Sequence, residues 1–189
     1  MSNKIKSVAV YCGHQFGNNP EYARDAKRIG ELLARNKITL VFGGGNVGLM
    51  GTVSSAALEN GGTVIGISTT HVMSLQEPAH EGIDVKVVDG LSARKEEMFD
   101  LSDAFVILPG GMGTLDEMTD IMTKQQVGES HKPIYMMNTA KYWEIFGQVM
   151  THMQNEGFMP SADDYNLHVV NTPEELIKRL LDGNDLVTA

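Results

Sequence analysis

Residues 102–117 read SDAFVILPGGMGTLDE. The apolar run Ala104 to Leu108 is closed by Pro109, and then come Gly110, Gly111 and Gly113, Thr114, and the adjacent acids Asp116 and Glu117. A short run that is apolar at every position describes a strand buried on both faces. The stretch after the glycines, about 113–127, carries the apolar spacing of a helix. Strand, glycine turn and helix in this order form the repeating unit of a parallel sheet. Glycines at such a turn let the free N–H groups of a helix start approach a bound anion, which the helix dipole also favours.

The same unit recurs in both directions along the chain. SVAVY leads to a helix at about 20–36 and ITLVF to one at about 47–60; TVIGI and IDVKVV precede a helix at about 91–101; PIYMM leads to about 142–156 and LHVV to about 173–182. Seven strands and six helices in this alternation predict an α/β fold: a Rossmann-like, doubly wound, mostly parallel sheet with helices on both faces and right-handed crossovers. Thr172, Pro173 and Glu175 supply an N-cap, a first-turn proline and a reaching acid for the last helix, and Gly183 supplies its stop. Residues 68–82, STTHVMSLQEPAHEG, form the one long irregular stretch, a candidate lid or interface loop. No repeat, low-complexity tract or linker breaks the chain, so residues 1–189 are expected as a single domain.

Composition narrows the function. Fifteen Lys and Arg stand against 24 Asp and Glu, a net charge of −9 without a basic stripe, which argues against a polymeric nucleic acid partner. The apolar runs are far short of a membrane span and the start is too short in apolar residues for a signal peptide, so no membrane partner is expected. A single cysteine, Cys12, rules out an internal disulfide and fits a cytoplasmic protein. The histidines never pair at metal-ligand spacing, so no metal is expected. The scattered methionines read as gap filling in helices.

A second glycine turn, Gly43-Gly44-Gly45-Asn46-Val47-Gly48, follows the second strand. Gly43, Gly45 and Gly48 match GxGxxG, yet the acid that would hold a dinucleotide ribose is missing: TVIGI is followed by Ser68-Thr69. Both glycine turns are therefore read as cradles for the phosphate of a mononucleotide, against the plainer reading of tight turns with close helix–sheet packing. The acids after the first turn gain about 0.3–1 kcal/mol from the helix dipole alone. Helical spacing puts Glu117 on the face of Gly113 and turns Asp116 about 100° away, so Glu117 is the better candidate to face a cation or a centre that becomes positive. Arg94, in LSARKEEM, is the candidate cation; its local alternative is a surface contact with Glu97 or Met98 one turn on.

These residues resemble the LOG (LONELY GUY) family of cytokinin riboside 5'-monophosphate phosphoribohydrolases, long labelled lysine decarboxylases. Pro109 to Glu117 match its PGGxGTxxE, and Arg94-Lys95 before Met98 match the companion motif. VYCG, VFGGGNVGLMG, HKPIYMMN and EGFMP extend the likeness over nearly the whole chain. The resemblance implies a Rossmann-like homodimer that hydrolyses the N-glycosidic bond of a purine nucleoside 5'-monophosphate, a cytokinin riboside 5'-monophosphate or AMP, with no cofactor. Arg94 and Glu117 would be the catalytic pair, with Arg94 keeping Glu117 ionised, and Gly110, Gly111, Gly113 and Thr114 would hold the phosphate. Lys95 and Thr123 would lie near the ligand. Departures gather where the base would sit: Cys12-Gly13-His14-Gln15 replaces CGSS, Ser68-Thr69 replaces Ile-Pro, Gln76 stands at a ligand-contacting Glu with Glu77 beside it, and Lys124 replaces a tryptophan common in plants. His14 and Glu77 are thus base-side candidates, and base selectivity is the property these changes would alter. No residue stands out as proton donor to the leaving base. The alternative is a non-catalytic nucleotide- or molybdenum-cofactor-binding module on the same scaffold. A pyridoxal phosphate decarboxylase would need a Schiff-base lysine that no element suggests.

Overall fold

The computed structural model describes residues 5–75, 79–161 and 164–182, so Glu77, Gln76 and Gly183 lie outside it. Seven strands, β1 (Ser7–Tyr11), β2 (Thr39–Phe42), β3 (Val64–Thr69), β4 (Asp84–Val88), β5 (Ala104–Ile107), β6 (Ile134–Met137) and β7 (Leu167–Val170), form one sheet in the order β4-β3-β2-β1-β5-β6-β7. Every neighbouring pair is parallel, so the sheet is parallel throughout rather than mostly so. The chain steps outward from β1 to β4, then returns to the other side of β1 for β5. That reversal opens a crevice at the carboxyl ends of β1 and β5, where ligands of such sheets bind.

Alternation along the strands divides the core into two layers. Val8 and Val10 of β1 face one cluster with Ile29 and Leu33 of α1 (Pro20–Arg35), Val53 of α2 (Gly48–Glu59) and Leu180 of α7 (Pro173–Asp182). Ala9 and Tyr11 face the other with Met98 of α4 (Gly90–Asp100), Met118 and Ile121 of α5 (Met112–Gln126) and Met150 of α6 (Glu144–Asn155). Each Val, Leu, Ile or Met among them, taken from water, contributes about 1.5–3 kcal/mol. The helix methionines Met98, Met118, Met122 and Met150 thus help fill the sheet–helix gap, as their flexible chains allow. No helix among the described residues is long and apolar enough to cross a membrane.

The structure departs from expectation in the stretch expected to be irregular. β3 continues through Ser68 and Thr69, which pair with Val87 and Val88 of β4, and the short α3 (Thr70–Leu75) follows, with the Val72 amide donating to Thr69 Oγ1 at 3.1 Å. The described residues therefore hold seven α-helices, not six. α6 begins at Glu144, later than expected, because a 3-10 turn at Thr139–Lys141 intervenes. At the last helix the Glu175 amide donates to Thr172 Oγ1 as expected, but the Glu175 carboxylate accepts from the Asn171 amide, one residue beyond a reciprocal box.

Helices α1, α2, α5 and α6 end in one motif, a left-handed residue just past the cap with paired 5→2 and 6→1 bonds. In α2, α5 and α6 that residue is glycine: Gly61, Gly128 and Gly157. In α1 it is Lys37, at φ 58°, with its amide on the Ala34 carbonyl and the Ile38 amide on the Leu33 carbonyl, both at 3.0 Å. A side chain there costs about 1–2 kcal/mol relative to glycine. Lys37→Gly is therefore expected to raise stability by about 1 kcal/mol, read as a higher urea midpoint with an unchanged slope; an unchanged or lower midpoint would contradict this.

Candidate active site

A cavity of about 400 Å³ lies at the carboxyl ends of β1 and β5. It falls in the range of small-molecule sites. Its wall includes Gly13, Arg94, Gly111, Thr114, Glu117 and Tyr142. The loops after β1 and β5 are tied together by the Gly13 amide, which donates to the Pro109 carbonyl at 3.0 Å.

The three glycines after β5 have different tasks. At Gly110 a Cβ would run into the Thr114 hydroxyl and lie 2.9 Å from the Gly13 amide, so this glycine permits close packing. At Gly111 and Gly113 it would meet nothing within 4 Å, so these leave the helix start bare. The first helical bond of α5 is the Leu115 amide on the Gly111 carbonyl, 3.0 Å; the N–H groups of Met112, Gly113 and Thr114 precede it and have no partner one turn back. Such a bare helix start, at the positive end of a helix dipole, has the chemistry to receive an anion.

The other glycine turn is used differently. A Cβ on Gly43 would occupy the space of the Arg94 guanidinium, one on Gly44 would press on Ser68, and one on Gly48 would collide with the His14–Gln15 backbone. The Gly45 amide rests on Met50 Sδ, and the Leu49 and Met50 amides both donate to the Gly13 carbonyl at 3.1 and 3.3 Å. The start of α2 is thus capped by the chain itself. Gly43, Gly44 and Gly48 thus make close packing contacts behind the site, and the amides of Gly45, Leu49 and Met50 are engaged within the chain.

Arg94 and Glu117 converge beside the start of α5. Arg94 Nη1 donates to Glu117 Oε1 at 2.9 Å and Nε donates to the Ile67 carbonyl at 2.9 Å, with both side chains only 11% exposed. The surface contact of Arg94 with Glu97 or Met98 is not the one formed; Glu97 pairs with Lys86. Burial raises the Glu117 carboxyl above its ordinary range, while Arg94 pulls it back down in part. Desolvation is the larger effect, and Arg94 works against it in the direction expected of a cation beside a carboxylate.

Other expected residues spread more widely. His14 is exposed on the cavity wall. Lys95 reaches Asp116 at 3.1 Å and Asp120 at 3.0 Å instead of facing the cavity. Thr123 is exposed and donates to the Thr119 carbonyl at 2.8 Å, a bond internal to α5. Lys124 pairs with Glu96 at 3.0 Å and lies over Phe99. Tyr22 and Tyr142, not anticipated, also line the cavity.

An open parallel sheet with a bare helix start and a buried guanidinium–carboxylate pair at its carboxyl edge defines the class: a Rossmann-like α/β protein. Residues 50–180 match the family described as "Possible lysine decarboxylase", and the chain belongs to that family, the LOG family. It is 39% identical over 158 residues to the cytokinin riboside 5'-monophosphate phosphoribohydrolase of Rhodococcoides fascians, covering 83% of this chain and 80% of that one. It is 34% identical over 182 residues to that of Arabidopsis thaliana, covering 96% and 85%. The molybdenum cofactor binding protein from Rippkaea orientalis has a similar structure, with TM-score 0.67, 23% identity and coverage of 94% and 96%; that likeness concerns the fold alone.

Proposed function

We propose that this chain is a single-domain hydrolase that cleaves the N-glycosidic bond of a purine nucleoside 5'-monophosphate, releasing the base and ribose 5-phosphate. The observation that carries the reading is the Arg94–Glu117 pair beside the Gly111–Thr114 amides in one cavity. Names of relatives point the same way, since the bacterial and plant proteins above are phosphoribohydrolases.

The chemistry follows from the charges. The 5'-phosphate binds on the amides at the start of α5, so the sugar lies toward Glu117. Breaking the C1'–N9 bond builds positive charge on the ribose, as in glycoside hydrolysis, and the carboxylate stabilises that charge or orients the attacking water. Arg94 aims the carboxylate and favours its ionised form. Asp116 faces outward to Lys95, so it is not the acid for the leaving base. A cytokinin riboside 5'-monophosphate and AMP both fit this chemistry, and the residues around His14 would choose between them. Exposed apolar residues Leu75, Val87 and Leu91, on α3, β4 and α4, favour a homodimer. The single buried Cys12 suits a reducing cytoplasm.

Incubation of the purified protein with AMP, GMP, CMP and isopentenyladenosine monophosphate, followed by chromatography, tests the reading. Free purine from at least one 5'-monophosphate, and none from the matching nucleoside, is expected. Retention of intact nucleotide without turnover would instead identify a carrier.

A further inference from the structure

Gly110 and Gly111 share one peptide unit whose orientation decides what the cavity offers an anion. In a planar trans unit the Gly110 carbonyl and the Gly111 N–H point in opposite directions. With glycine on both sides such a unit flips with little steric resistance. In one orientation an N–H faces a phosphate; in the other a carbonyl oxygen repels it.

One side chain holds this unit. Tyr142 Oη donates to the Gly110 carbonyl at 2.6 Å, across 32 residues of sequence. Its ring is set edge-on against Tyr22 (5.6 Å, 77°) and Trp143 (4.9 Å, 88°). The backbone that delivers it adopts a conformation L residues avoid: Ala140 at φ 49° and Lys141 at φ 63°, both left-handed. Bonds on either side keep that turn in place. Thr139 Oγ1 donates to Asp25 Oδ2 at 2.6 Å, and the Trp143 amide donates to Asn138 Oδ1 at 2.9 Å. Disfavoured backbone held by its surroundings is a feature of sites where a side chain must be aimed.

We infer that Tyr142 is a positioning residue for the phosphate cradle, locking the Gly110–Gly111 peptide with its N–H available to the anion. The strained Ala140–Lys141 turn aims its hydroxyl. A carbonyl that accepts a hydrogen bond also makes the N–H of the same unit a stronger donor, so the lock acts on strength as well as direction. The inference rests on the phosphate-binding reading of this cavity but not on turnover.

Tyr142→Phe keeps the ring and removes the donor. Calorimetry should show ribose 5-phosphate binding weakened about five- to tenfold, as for loss of one hydrogen bond. KM for the nucleoside monophosphate should rise by a similar factor while kcat moves less than about twofold, because the phosphate is held equally in ground and transition states. Binding of unphosphorylated adenosine, and the thermal midpoint, should not change. Ala140→Gly, which lets the turn relax, should weaken ribose 5-phosphate binding in the same direction without lowering the midpoint. Wild-type-like ribose 5-phosphate binding by both variants overturns the inference, as does a fall in kcat alone or a lowered midpoint with unchanged binding. If the wild-type protein itself binds no ribose 5-phosphate, this inference and the phosphate cradle fall together. If it binds the sugar phosphate tightly yet hydrolyses no nucleotide, only the proposed reaction fails.

Discussion

Glu117→Gln is expected to lower turnover of the best nucleoside monophosphate by about 10³-fold while leaving its affinity within about threefold. The size follows from electrostatics. A unit negative charge about 4 Å from a developing positive one contributes about 4 kcal/mol at an effective dielectric of 20, the equivalent of about three powers of ten in rate. The carboxamide keeps the shape of the side chain, and its oxygen can still accept the bond that Arg94 Nη1 gives the carboxylate at 2.9 Å. The phosphate amides at the start of α5 are untouched, so binding persists. Single-turnover kinetics with calorimetric affinity separate the two quantities; equal turnover by variant and wild type would remove Glu117 from the mechanism. A pH profile adds a second signature. Catalysis needs the carboxylate, and burial raises the Glu117 carboxyl, so wild-type kcat should fall on acidification through a limb above the ordinary glutamate value of about 4.3. That limb should be absent from the residual activity of the variant.

The sequence revealed what depends on local periodicity and hid what depends on distant packing. Helical spacing was enough to separate Glu117 from Asp116: the first turns inward to Arg94 and the second outward to Lys95. Strand and helix order likewise gave the parallel sheet and its crevice. The two glycine turns, by contrast, look alike as text. Only in three dimensions does one prove to be bare helix start, while the other makes room for the Arg94 guanidinium and the His14–Gln15 backbone. β3 extends past its apolar run because its last two residues are held by pairing with β4, which no local pattern encodes. Tyr142 is invisible in the sequence for the same reason: its hydroxyl meets a glycine 32 positions away, through two non-glycine residues in a conformation their sequence does not suggest.

Arg94→Ala should abolish measurable turnover and should also leave a pH-dependent stability defect that identifies its partner. Glu117 is buried, and Arg94 is what offsets part of the cost of its charge. Removing one member of a buried pair strands the other, at about 3–5 kcal/mol, unless the stranded group changes its protonation. Without the cation the folded-state pKa of Glu117 climbs further above its unfolded value. The native state then binds more protons than the unfolded state across the window between those two values. Stability therefore falls as pH rises through that window, and the loss is complete above the folded pKa. In wild type Arg94 narrows the window; in Arg94→Ala it widens. Urea unfolding at about pH 5 and about pH 8 should show a small deficit at the lower pH and the full deficit at the higher one. Part of the defect will not titrate, because the Ile67 carbonyl also loses the Arg94 Nε donor. Adding Glu117→Gln to Arg94→Ala should erase the pH-dependent part and leave that remainder, a coupling expected only of two groups in contact. A deficit that is the same at both pH values, or that survives the second substitution unchanged in its pH dependence, would mean that Arg94 supports the fold without governing the charge of Glu117.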